Sequence, residues 1–428
     1  MIMNRLKRIN RIGRLNLECG ESSPLSKALT SQRTPRILLL IAVIVLSTVA
    51  ARAQDRPLFR GVADTVLSNW KEYPGAAPGR VARWTYEQGV VLRGMEEAWK
   101  QTRDPRYFDY IQQTLDHYVA DDGTIRTYRF EEYQLDNILL GRMLLFLYQE
   151  TKQEKYRKAA DLLREQLRKQ PRTSEGGFWH KQIYPFQMWL DGLYMAGPFY
   201  AEYARTFHET SDFDDIAKQF ILIERHTRDP KTGLLYHGWD ESRKQRWADT
   251  ATGHSPNYWG RAMGWYAMAL VDTLDYFPAK DPQRSELVAI LNRLAAAIAK
   301  YQDENTGLWY QVVDRAGSKG NYFESSAAAM FVYALAKGVR ENYLPASYAR
   351  VAEKGYRGML NQFIQIKPDG MVDFNGTVGG AGLGGNPYRD GSYEYYLSEK
   401  VVTNDPKGVG ALLLAATEMA RAPAKRRS

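Results

Sequence analysis

From about residue 57 to the C-terminus, apolar side chains recur every three or four positions almost without interruption, and this period governs what the chain can become. Ten stretches carry it: 81–100, 132–151, 155–168, 187–207, 212–224, 258–277, 285–301, 324–339, 347–363 and 407–420. Such spacing lays apolar residues along one stripe of an α-helix, whereas the two-residue alternation of a half-buried strand is sparse here. No Ser/Pro/Gly-rich linker divides the body, so one all-α domain is expected over residues 54–428.

Six short segments mix polar or aromatic residues with small ones just before or inside an apolar helix. They begin at Trp84, Leu135, Trp189, Trp259, Glu324 and Lys407. A solenoid would spread these along a concave face; six hairpins closing into a ring would gather them at one mouth. The six-fold count favours a closed (α/α)6 barrel. A faint internal repeat fits stacked hairpins: Asp229-Pro-Lys-Thr-Gly-Leu-Leu-Tyr recurs as Asp303-Glu-Asn-Thr-Gly-Leu-Trp-Tyr, with a weaker copy at 367–374.

Charge narrows the function classes. The first 53 residues hold nine Lys or Arg against Glu18 and Glu21, so seven of the nine net positive charges sit there. A near-neutral body argues against a nucleic-acid partner, which demands a basic face. Arg33 and Arg36 precede the apolar run 37–46, and Ala51-Arg52-Ala53 fits a small-residue cleavage site. This pattern reads as a secretory signal peptide over 1–53, with an exported, periplasmic or secreted product and no stable membrane association after cleavage. The run is short for a membrane span. Removal of the leader takes away Cys19, the only cysteine; the mature chain then has no disulfide, thiolate ligand or Cys nucleophile.

The six histidines show no metal-ligand spacing, and neither a nucleophile elbow nor a Walker loop is present, so no metal or cofactor is expected. The glycine-rich run 379–385 lies far from any strand–helix unit and reads as a tight-turning loop at a pocket rim. Carboxylates inside aromatic helices remain. Asp191, among Trp189, Leu193, Tyr194 and Phe199, is a poor helix-interior residue and would be expensive to desolvate. It reads either as a general acid whose pKa burial raises, or as an N-cap or core-paired carboxylate. Asp136 has the same character and the same alternatives; two such groups on neighbouring hairpins could share a proton. Arg261 offers a planar fork for a carboxylate, flanked by Trp259 and Trp265, whose indoles suit sugar stacking or the core. His237 sits between Tyr236 and Trp239 in a loop. The 12% aromatic content fits either use.

These residues carry a resemblance. Tyr133-Gln-Leu-Asp-Asn-Ile, Phe178-Trp-His-Lys, the run 184–199 with Trp-Leu-Asp-Gly at its centre, His237-Gly-Trp-Asp, Trp259-Gly-Arg-Ala-Met-Gly-Trp, Glu324-Ser-Ser-Ala and Asn404-Asp-Pro-Lys-Gly-Val-Gly together resemble glycoside hydrolase family 105, the unsaturated rhamnogalacturonyl hydrolases, kin of the family 88 unsaturated glucuronyl hydrolases. The resemblance covers the body from about residue 80. It implies an (α/α)6 barrel and an unsaturated oligosaccharide substrate, from whose non-reducing end a 4,5-unsaturated galacturonic acid is released by hydration of the vinyl-ether double bond. It implies Asp191 as general acid/base and Asp136 as the second essential carboxylate. His237, Trp259 and Arg261 match substrate contacts, with Lys181, Trp189 and Trp265 in the same binding set and Trp84 and Tyr86 as pocket aromatics. Segments 376–387 and 390–396 depart from the family 88 pattern, which favours a rhamnogalacturonan-type substrate. The competing expectations are a hydrolase of unsaturated glucuronyl disaccharides and a non-catalytic glycan-binding barrel. Oligomeric state is not legible.

Overall fold

The computed structural model describes residues 57–76 and 81–421; the expected signal peptide and Cys19 lie outside the described residues. Thirteen α-helices occur among them. The first seven are α1 (Leu58–Asn69), α2 (Tyr86–Thr102), α3 (Pro105–Asp116), α4 (Gly141–Thr151), α5 (Glu154–Lys169), α6 (Leu190–Phe207) and α7 (Asp212–Thr227). The remainder are α8 (Gly260–Leu274), α9 (Pro282–Lys300), α10 (Ser325–Arg340), α11 (Tyr348–Gln362), α12 (Tyr393–Ser398) and α13 (Pro406–Met419). Three antiparallel strand pairs accompany them: β1 (Gln187–Trp189) with β2 (Gly238–Asp240), β3 (Ile364–Ile366) with β4 (Val372–Phe374), and β5 (Thr377–Val378) with β6 (Val401–Val402).

Helices α2, α4, α6, α8, α10 and α13 pack each on the next, and α13 returns to α2, closing a ring. Helices α1, α3, α5, α7, α9 and α11 pack outside it. Composition explains the division. Every residue of α8 is buried, as befits a helix apolar on all sides. The outer α5 buries only one stripe, from Tyr156 to Leu167. Inner helices approach closely through glycine: a Cβ on Gly410 of α13 would stand 2.7 Å from the Val90 backbone of α2. This is the expected (α/α)6 barrel. The six segments singled out in the sequence stand at the starts of its six inner helices.

The opposite end of the barrel is closed by charge. Asp272 of α8 meets Arg142 of α4 at 2.6 Å and Lys337 of α10 at 2.7 Å. Arg142 also reaches Glu202 of α6 at 3.4 Å, Arg93 holds Glu96 and Glu97 on α2 at 2.6 and 2.7 Å, and Glu418 of α13 pairs with Arg340 of α10. Every inner helix contributes a member.

Several boundaries differ from expectation. The stretch 132–151 is not one helix. It runs through two 3-10 turns, Phe130–Glu132 and Leu135–Ile138, before α4 begins. The backbone there serves other partners: Leu135 N donates to His180 O, and Gln134 O accepts from the Gln166 side chain. Likewise 81–85 is extended, with the Trp84 amide donating to Thr127 Oγ1. The first two copies of the repeat are connecting turns after outer helices α7 and α9, each closed by its aspartate: Asp229 accepts from Lys231 N and Asp303 from Thr306 N.

Candidate active site

Helix starts converge at the open mouth, where unpaired backbone N–H groups favour negative charge. Asp191 is the second residue of α6. It makes no capping hydrogen bond, because the chain enters α6 through strand β1, whose Trp189 occupies the cap position. Strand β2 lies alongside and carries His237 in at its edge: Leu190 N donates to His237 O. His237 is fully buried. Its Nε2 stands 3.1 Å from Asp191 Oδ2, off the line of a straight hydrogen bond. Both atoms are shut off from solvent and have no other partner. The opposite ring nitrogen, Nδ1, lies 2.8 Å from the Tyr396 hydroxyl. Asp191 is therefore neither an N-cap nor half of an ion pair with Lys or Arg; its neighbour is an imidazole.

Aromatic rings box this pair. Trp189 is stacked between His180 and Tyr184 at 4.5 and 4.8 Å and presents its edge to His237. Trp259, the cap residue of α8, packs on His237 at 4.8 Å and on Tyr396 at 5.9 Å. Trp265 lies one to two turns deeper on α8, between Tyr194 and Tyr86.

Asp136 occupies the 3-10 turn before α4. Its Oδ2 meets Lys181 Nζ at 2.6 Å, and its Oδ1 lies 3.5 Å from His180 Nε2. Burial would push this carboxyl up, but the Lys181 ammonium, with help from His180, outweighs it and holds Asp136 below the usual carboxylate range. The two aspartates do not share a proton by direct contact, as the sequence had allowed. His180 stands close enough to feel the charge of both, but of the two it is in contact with Asp136 alone. Burial pushes its imidazole down to about 4, so it is neutral near pH 7.

A cavity of about 600 Å³ opens beside Asp136. Lys181, Trp84, Tyr86, Arg83 and Arg129 are among its other lining residues. Trp84 commits its indole N–H to Asn137 O at 2.7 Å, leaving the ring as a wall. Asp191, His237, Trp259 and Arg261 are not among the residues that line this cavity. Arg261 of α8 donates Nε to Ser326 Oγ at 2.8 Å and Nη2 to Val378 O, and lies 3.4 Å from Glu324, the N-cap of α10. Among the described residues its buried Nη1 has no hydrogen-bond partner. Arg261 is thus half spent on the scaffold and keeps one free donor edge.

One segment absent from the expected site residues braces all of this. Val378 takes the Arg261 donor, Leu383 packs on Trp189, Arg389 Nη2 donates to the Tyr184 hydroxyl at 2.7 Å, and Tyr396 reaches His237. The glycine-rich run expected at a rim belongs to this segment. His180, Tyr184 and Tyr396 fall inside segments the sequence singled out (178–181, 184–199 and 390–396) but were not themselves expected as site residues. Among the described residues no three His, Cys, Asp or Glu side chains come together as a metal cage.

The chain is similar to known proteins in sequence and in fold. A family model described as Glycosyl Hydrolase Family 88 matches residues 60–423. The structure of a glycoside hydrolase from family 105 of C. acetobutylicum ATCC 824 superimposes with a TM-score of 0.82 at 46% identity, covering 85% of this chain and 99% of that one. The unsaturated rhamnogalacturonyl hydrolase YesR of Bacillus subtilis (strain 168) is 28% identical over 295 residues, 68% of this chain and 78% of YesR. The unsaturated glucuronyl hydrolase of Bacillus sp. GL1 shares the fold at a TM-score of 0.62 and 13% identity, over 86% of this chain and 96% of its own. The chain belongs to the glycosyl hydrolases of the family 88 group, and within that group to glycoside hydrolase family 105.

Proposed function

We propose that the protein removes a 4,5-unsaturated galacturonic acid from the non-reducing end of rhamnogalacturonan fragments left by a lyase, with Asp191 as general acid/base. The observation that carries this reading is the Asp191–His237 pair, a carboxyl and an imidazole facing each other in an indole-walled box with no competing cation. Family membership and the similarity to YesR support the substrate class.

The chemistry follows from these groups. Asp191 gives its proton to C4 of the C4=C5 vinyl ether, and the positive charge that develops is shared between C5 and the ring oxygen. Water adds at C5 while the Asp191 carboxylate takes up the proton it loses. The resulting hemiketal opens and the next sugar leaves with a proton. Because a double bond is hydrated, the carboxylate separations of ordinary glycosidases do not apply. His237 supports the carboxylate form between the two transfers. Asp136 and Lys181, paired and ionised, position the sugar hydroxyls, and Trp84 and Tyr86 supply flat walls for its rings. The positive charge of the buried Arg261 and the surrounding helix starts favour a negatively charged substrate in the mouth. The leader pattern supports action outside the cytoplasm.

The substrate class is tested by comparing turnover of unsaturated galacturonyl-rhamnose with that of an unsaturated chondroitin disaccharide. Preference for the first by at least tenfold in kcat/KM is expected; preference for the second makes the protein a glucuronyl hydrolase.

A further inference from the structure

We infer that Tyr396 is a positioning residue for the proton transfer: its hydroxyl fixes the tautomer of His237 so that Nε2–H faces Asp191 Oδ2, leaving the transferable proton on Oδ1. This rests on Asp191 being the acid of the proposed reaction.

Tyr396 belongs to the short helix α12 and is fully buried. Its hydroxyl has one hydrogen-bond partner, His237 Nδ1 at 2.8 Å. If Nδ1 carried the ring proton and donated it, the phenolic O–H of the buried Tyr396 would have no acceptor among the described residues, and a buried donor is rarely left unsatisfied. If the phenol donates, both atoms are satisfied. Nδ1 is then the lone-pair nitrogen and Nε2 bears the hydrogen.

That hydrogen lies on the Asp191 side of the ring, with Oδ2 3.1 Å from Nε2 though off a straight line. A protonated Asp191 cannot place its hydrogen on an oxygen that already faces a donor, so the acid proton resides on Oδ1. Oδ2 is sealed from solvent, so the exposure that Asp191 retains belongs to the rest of its carboxyl group. The relay thus orients the reactive oxygen outward. Trp259 packs on both His237 and Tyr396, which keeps the ring pair in register.

Tyr396→Phe removes one oxygen and keeps the stacking. The charged and titratable groups around the relay are Asp191, Tyr395, Asp390 and Arg389 about Tyr396, and His180 beside His237; the substitution alters none of them. Nitrogen-15 spectra of histidine-labelled protein, with His237 assigned through His237→Gln, are expected to show lone-pair Nδ1 and protonated Nε2 in the wild type. In Tyr396→Phe, mixed tautomers are expected, with kcat down ten- to a hundredfold, KM within about twofold and thermal unfolding nearly unchanged. The pH profile of kcat is expected to shift. A wild-type His237 protonated on Nδ1 overturns the proposal, as does a Tyr396→Phe enzyme with unaltered kcat and pH profile. The spectra read the tautomer without turnover, whereas retained activity in Asp191→Asn would count against the acid assignment itself, so the two failures are distinguishable.

Discussion

The carboxyls of Asp136 and Asp191 sit in one mouth in different company, and that difference is the chemistry. Asp136 is held ionised by Lys181, whereas Asp191 faces an imidazole and no cation. Lys181→Met would leave burial, which raises the Asp136 pKa, opposed only by His180. The sign is then fixed. A depressed carboxyl contributes stability above its unfolded pKa and loses it as pH falls through its folded pKa. In Lys181→Met that folded pKa rises, so the acid limb of kcat/KM is expected to move to higher pH, as read from a pH–rate profile; an unmoved limb would remove Lys181 as the group controlling Asp136. Asp191 was legible because a carboxylate opening an apolar, aromatic helix is conspicuous in one dimension, and Asp136 because it precedes an apolar run, although it sits in a 3-10 turn. Tyr396 was not, because it meets His237 across 159 residues. Neither was His180, a lone imidazole whose part depends on the fold bringing it against Asp136 and the Trp189 ring.

Helices were legible where their apolar period was long, and less so where tertiary hydrogen bonds redirect the backbone. The broken stretch before α4 is such a case, since His180 O and the Gln166 side chain draw on the backbone that a continuous helix would need. Helix α3 was overlooked although its start was marked: Asp104 caps it, accepting from Arg106 N, and Pro105 follows in the first position. Inner helices are also tuned by what they lack. On α13, Gly410 lies against the backbone of α2, which cannot yield as a flexible side chain does. Gly410→Ala is expected to destabilise by about 1–3 kcal/mol through overpacking, measured by chemical denaturation. At Gly380, in the bracing segment, an added Cβ would meet no atom within 4 Å. Gly380→Ala should stay within about 0.5 kcal/mol of the parent. Equal losses at the two positions would contradict the packing described for the ring.

At the scale of the whole molecule, the barrel separates its tasks between two ends. Helix starts and aromatic rings make the mouth; buried ion pairs make the base. The six-fold count of polar helix starts made the closed ring legible, but the base was not, because charged residues scattered along separate helices look like ordinary solvated faces until the ring buries them. Burial would raise the Asp272 carboxyl, yet Lys337, Arg142 and Arg93 hold it well below the usual carboxylate range. Its contribution is therefore present at neutral pH and disappears only on strong acidification. Lys337→Met strands part of that charge and is expected to lower stability by about 3 kcal/mol near pH 7, with the deficit narrowing in acid. Urea unfolding at several pH values checks this; a pH-independent deficit would point to lost packing rather than lost pairing.

The assignment of Asp191 as the acid that hydrates a vinyl ether is tested most directly by following the ultraviolet absorbance of unsaturated galacturonyl-rhamnose with the wild-type enzyme and with Asp191→Asn. The wild type should bleach the chromophore and release rhamnose. The variant should lose about 10²–10⁴-fold in kcat while unfolding at nearly the same temperature. Undiminished bleaching by a folded Asp191→Asn protein would contradict it.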